Sequence, residues 1–132
     1  MSSKSGSVTQ EDLMGCGVAC VAFVLGVSYK EAQERYFKES RQYAGYHCYD
    51  LTRALAAAGL DYSYRRIGGR TRFKGGTIIF ISRSEQYPAG HYLVKTEQGW
   101  MDSWINYPNI KKPRSGFRKG LPGRPKWVIS QK

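Results

Sequence analysis

Several residues whose types and spacing suit acyl-bond cleavage are spread through this 132-residue chain. Cys16 sits between Gly15 and Gly17, where a polar lead-in gives way to the apolar run VACVAFVLG. With a helix starting near Gly15, the thiol lies in the first turn, where free N–H groups and the positive end of the helix favour thiolate. Gly15 and Gly17 remove side chains from both flanks and would let a substrate backbone approach closely. Gln10, six residues upstream, could swing its amide NH2 toward the same point as the Cys16 N–H. Two donors aimed at one developing oxyanion form an oxyanion hole. The stretch also reads as a small buried cysteine in a core helix, with glycines that cap or pack.

A thiol nucleophile needs a base, and the chain has two histidines. His91 follows Pro88, Ala89 and Gly90 and opens the strand pattern HYLVKT, which places an imidazole at a strand edge beside a flexible, open loop. Asp102 lies in the next strand. A tight turn near Gln98 would pair the two strands antiparallel and set Asp102 nearly opposite His91. A carboxylate on one ring nitrogen would fix the tautomer and aim the other at the thiol. His47 is the rival, but it adjoins Cys48, and neighbouring side chains point apart. Cys16, Cys20, His47 and Cys48 lack the paired knuckles of a zinc site. No metal and no cofactor is therefore expected. Cys20 reads as core, and Cys48 as structural or an exposed bystander.

The elements that must position these groups follow from the hydrophobic pattern. Residues 1–8 are expected to be a flexible N-terminus and residues 9–132 a single domain. Helices are expected over about 13–59. The first runs from Leu13 to Leu25 and ends at Gly26. The second runs from Ser28, with Glu31 completing a capping box, to about Glu39. SRQYAGYHC is a loop. A third, LTRALAAA, is capped by Asp50 and stopped by Gly59. After Gly59 the period changes. DYSYRRI, TIIFIS, HYLVKT, GWMDSWI and PKWVIS read as strands, so a sheet is expected over about 61–130, with TIIFIS buried on both faces. GGRTRFKGG is a turn region, and the basic tail is otherwise irregular. Helices first and strands afterwards give an α+β fold, a helical half packed on an antiparallel sheet.

Q-x5-C-G-x-A at Gln10–Ala19, an apolar helix, then G-H-Y-L-V from Gly90 and an aspartate at 102 resemble the bacteriocin-processing peptidases. These are papain-like cysteine peptidases that cut leaders after a double glycine, here as a free-standing domain. The resemblance runs from about Thr9 to Trp104. It implies a papain-like fold with Cys16 as nucleophile, His91 and Asp102 completing a triad, and Gln10 in the oxyanion hole. Gly15 stands where the family usually has Asp, and Ser103 where a proline is common. The resemblance implies peptide or isopeptide cleavage, although deamidation or transglutamination would use the same constellation.

The net charge is +11, and all ten acidic residues lie at or before Asp102. Arg65, Arg66, Arg70, Arg72 and Lys74 form one basic block, and the tail after Asp102 forms another. A peptide or protein substrate is expected, and such blocks would suit an acidic one. A catalytically silent basic module binding nucleic acid or an acidic protein is the rival from a different class, though no nucleic-acid-reading motif is present. The run from Val18 to Val27 is too short for a membrane span, and MSSKSGSVTQED is no signal peptide. With three cysteines, the expected setting is the reducing cytoplasm. Substituting Gln10 by Ala is expected to impair turnover far more than stability.

Overall fold

The first helix begins at the nucleophile candidate itself. In this computed structural model, which describes residues 6–37, 45–67 and 73–132, α1 spans Cys16–Leu25. Leu13 and Met14, expected inside it, form a turn in which the Gly15 N–H donates to the Asp12 carbonyl at 3.1 Å. The helix is apolar on all sides because it is the centre of the helical layer. Val18 through Ala22 are fully buried, and α1 packs on both other helices and on the sheet. Gly26 closes it in the left-handed region at φ 72°, as expected of a glycine at that position.

Ser28 then caps α2 (Tyr29–Tyr36), its Oγ accepting the Glu31 N–H at 3.0 Å. This helix ends at Tyr36, earlier than expected. The third helix, α3 (Cys48–Ala57), starts two residues before Asp50. His47 is its N-cap residue, and the Asp50 carboxylate reaches back from the first turn to accept the His47 N–H at 2.8 Å. The carboxylate thus serves the helix end as expected of an acidic group there, from inside the first turn. Residues 38–44 and 68–72, which include most of the expected loop before Cys48, part of the turn region, and Arg70 and Arg72, lie outside the described residues, as do residues 1–5.

The strands are β1 (Tyr62–Arg66), β2 (Ile78–Ile81), β3 (His91–Thr96), β4 (Gly99–Asp102), β5 (Gly116–Arg118) and β6 (Pro125–Gln131). They form one sheet in the order β1-β6-β2-β3-β4-β5, with every neighbouring pair antiparallel. The three-residue β5 lies in the tail expected to be irregular. Its sequence, Gly-Phe-Arg, is too short to announce a strand, and pairing with β4 defines it.

Both faces of the sheet are covered. Ile78, Tyr92, Val94, Met101 and Ile129 pack with the helices, while Ile79, Ile81, Leu93, Trp100 and Val128 form a second cluster on the opposite face with Tyr87. Period-two alternation explains the split and confirms the expectation that TIIFIS is buried on both sides. Alternation also sends His91 and Asp102 to the second face, because each is two residues from a member of that cluster.

Candidate active site

Cys16 is the first residue of α1, and it is half-buried rather than sealed in the core. The first-turn N–H groups have no carbonyl four residues back and point out of the helix end beside the thiol. The two flanking glycines are buried. A methyl group on Gly15 would collide with the Tyr29 hydroxyl, and one on Gly17 would lie 3.0 Å from Leu51 and 3.5 Å from the Tyr92 ring. Packing against α2, α3 and β3 therefore demands both glycines, whereas the expected reason was substrate access. Gly90 does line the cavities beside Cys16, and its φ of 82° and its closeness to Phe80 also require glycine.

Gln10 is 4% exposed and tightly held. Its Nε2 donates to the Asp12 and Leu13 carbonyls at 3.0 and 3.1 Å. Its Oε1 accepts the Ser103 hydroxyl at 2.6 Å, and its own N–H donates to the Ser103 carbonyl at 3.2 Å. Ser103, a departure from the resembled pattern, is fully buried and ties the Gln10 segment to the residue after Asp102.

His91 and Asp102 meet, as expected, through a buried contact of 2.7 Å between Nε2 and Oδ1. The register pairs Val94 with Met101 and Thr96 with Gly99, so His91 and Asp102 are diagonal neighbours on one face, not directly opposed. With Nε2 on the carboxylate, Nδ1 is left for Cys16. The negative charge of Cys16 as thiolate, together with Asp102, raises the proton affinity of the ring. Burial opposes the imidazolium, but these two groups outweigh it and push the His91 pKa up to about 9. For Asp102, burial alone would raise the pKa. The bonds from His91, Arg118 and the Trp104 N–H reverse that and hold the carboxyl well below the usual carboxylate range.

Two residues missed in the sequence complete the site. The Tyr87 ring stacks on the imidazole, with centroids 3.9 Å apart and planes 3° from parallel. Its hydroxyl lies 2.8 Å from Asp102 Oδ2 and 2.7 Å from the Trp104 carbonyl, and its one proton can go to either. Arg118, expected to be one more cation of the basic tail, turns inward from β5, and its Nε donates to Asp102 Oδ2 at 2.7 Å. Aromatic-rich loops and an isolated arginine in a basic stretch carry no local signal of this kind. Only the β4–β5 pairing, which sets Arg118 against Trp100, brings the guanidinium to the carboxylate.

Cys20 is fully buried in the helical core, where burial pushes its thiol pKa up. His47 and Cys48 line a cavity together with Cys16. Among the described residues, no group of three or more His, Cys, Asp or Glu side chains is placed to hold a metal ion. A narrow cavity of about 120 Å³ is lined by Gln10, Cys16, His91 and Trp104. It adjoins a larger one of about 380 Å³ with aromatic walls, including Tyr46, Tyr49, Phe80, Tyr92 and Trp127. Among the described residues, no helix is long and apolar enough to cross a membrane.

No family model matches the chain, and no curated protein is significantly similar to it in sequence. The fold does have a solved counterpart. The peptidase domain of Streptococcus ComA, a bi-functional ABC transporter involved in a quorum-sensing pathway, superposes with a TM-score of 0.55. The match covers 94% of this chain and 95% of that one at 18% identity. Three helices packed on a six-stranded antiparallel sheet thus form a papain-like peptidase fold.

Proposed function

We propose that the chain is a cysteine peptidase in which Cys16, His91 and Asp102 act as a triad. The observation that carries this reading is the buried 2.7 Å His91–Asp102 contact, which leaves the second ring nitrogen to a thiol at a helix N-terminus. His91 Nδ1 takes the proton of Cys16, and the thiolate attacks the carbonyl carbon of the scissile bond. The oxyanion is met by the Cys16 N–H and by Gln10 Nε2, which gives up one of its two backbone carbonyls to do so. The imidazolium then protonates the leaving amine and the tetrahedral adduct collapses to a thioester. Water, deprotonated by His91, releases the acyl group and restores the thiol.

The substrate is a peptide lying along the aromatic cavity. Arg53 stands over Tyr49 at 5.7 Å and Arg66 over Trp127 at 5.5 Å, and among the described residues no acidic side chain lines the cavity. This rim favours acidic residues beside an apolar one in the bound segment. The three free thiols suit a reducing compartment such as the cytoplasm.

A thiol-directed activity probe tests the reading. Labelling of wild type that disappears in Cys16→Ala and falls steeply in His91→Ala is expected. Equal labelling of wild type and Cys16→Ala would overturn it. Ammonia release without new peptide termini would reassign the chemistry to deamidation.

A further inference from the structure

The Asp102 carboxylate has two oxygens, and a histidine–aspartate pair needs only one. His91 takes Oδ1, together with the Trp104 N–H at 2.9 Å. Oδ2 faces Arg118 Nε and the Tyr87 hydroxyl. The guanidinium is anchored beyond Asp102 as well. Its Nη2 lies 2.8 Å from Gln86 Oε1, 3.2 Å from the Tyr87 hydroxyl and 3.3 Å from the Ile105 carbonyl, three acceptors for its two protons. Gln86 is in turn fixed by its Nε2, which donates to the Ile105 and Tyr107 carbonyls at 3.1 Å each. Arg118 also lies 5.9 Å from the centre of the Tyr87 ring that covers the imidazole. A planar fork held by three further residues, Gln86, Tyr87 and Ile105, is a rigid clamp, which a flexible ammonium would not reproduce.

The geometry points to Arg118 as a positioning residue for this site. It locks the rotation of Asp102 and offsets part of the negative charge that the carboxylate directs at His91. This inference rests on the peptidase reading for its kinetic consequences, but its electrostatic part concerns the folded protein alone. The ionisable groups around the pair are Cys16 and Cys20 from α1, Tyr87 from the loop before β3, and Arg118 from β5. Arg118 is the cation among them besides His91 itself. Removing it leaves the carboxylate facing the imidazole with its charge undiminished, so His91 should hold its proton to higher pH. A purely structural arginine would instead lower stability and leave that titration in place.

The chain has two histidines, and His47 is exposed while His91 is buried. Imidazole resonances can therefore be followed by NMR in wild type, Arg118→Gln and Arg118→Lys, beside kcat, KM and their pH profiles. Arg118→Gln should move the His91 titration and the alkaline limb of kcat/KM upward by roughly half a pH unit or more. It should also lower kcat about tenfold or more with little change in KM. Arg118→Lys keeps the charge but not the fork, so His91 should titrate as in wild type while kcat still falls. An unchanged His91 titration in Arg118→Gln overturns the proposal, as does the same displaced titration in both variants. Should Arg118→Gln fail to fold, the lysine variant decides: wild-type kcat would remove the positioning role. Should no peptidase activity exist at all, the NMR titration still tests the charge-offsetting role, so the two readings fail separately.

Discussion

Replacing Asp102 by Asn exchanges one oxygen for an NH2 at a fully buried position. All four of its neighbours are donors: His91 Nε2 and the Trp104 N–H on one side, Arg118 Nε and the Tyr87 hydroxyl on the other. Asparagine must turn its NH2 toward one pair. Against the first, the imidazole can change tautomer but the Trp104 N–H cannot reverse. Against the second, the tyrosine hydroxyl can rotate toward the Trp104 carbonyl, but the guanidinium N–H is fixed. Either way one buried donor loses its acceptor, at a cost of about 1–3 kcal/mol. Losing the ion pair with the partly exposed Arg118 adds about 1 kcal/mol after solvent screening. The expected loss is about 2–4 kcal/mol, or a Tm lowered by about 6–15 °C in a domain of this size. The His91 pKa should fall from about 9, because burial still opposes the charged ring and only Cys16 is left to favour it once the carboxylate is gone. Thermal unfolding at pH 7 with an NMR titration of His91 reads both. A Tm within about 2 °C of wild type, together with an unshifted His91, would refute the view that four donors converge on a charged acceptor.

The remaining predictions concern the same neighbourhood. His91 binds its proton more tightly folded than unfolded, so its contribution to stability is complete below about pH 6.5 and fades as pH rises to 9. Asp102 works in the opposite sense: its contribution is complete above about pH 4 and is lost on further acidification. Urea unfolding across pH should thus give greatest stability between about pH 4.5 and 6.5, and a maximum above pH 8 would contradict both assignments. Gly15→Ala should cost about 1–3 kcal/mol by driving a methyl into the Tyr29 hydroxyl, which holds Asp12 Oδ2 at 2.7 Å; a neutral effect in thermal unfolding would count against the packing role. Gln10→Ala should lower stability by about 1–3 kcal/mol as well as turnover, since it strands the Ser103 hydroxyl and two backbone carbonyls; unfolding like that of wild type would show those contacts to be dispensable.

The Gln10 result shows where the sequence was readable and where it was not. A polar residue six positions before a cysteine signalled a donor, because spacing along one chain segment is local information. That its amide is already occupied depends on Ser103, more than ninety residues away, and no pattern reports it. The strands of the sheet core and the His91–Asp102 meeting were legible because alternation and a short turn constrain neighbours. The glycines around Cys16 stand out in the sequence, but the packing that needs them does not, since Tyr29 and Leu51 arrive from other helices. Arg118 was invisible for a similar reason. In a tail rich in Lys and Arg, an inward-facing guanidinium differs from its exposed neighbours only through the short β5 pairing that turns it. Helix ends fell between these cases: Ser28 and Gly26 acted as their types suggest, while Asp50 served from one turn inside its helix.

The sheet order carries one more consequence. β6, far from β1 and β2 along the sequence, lies between them and not at an edge. Until residues 125–131 emerge, β1 has no partner and one side of β2 is open. The inner pairings of the sheet are therefore non-local, the kind of contact whose loop-closure cost slows folding.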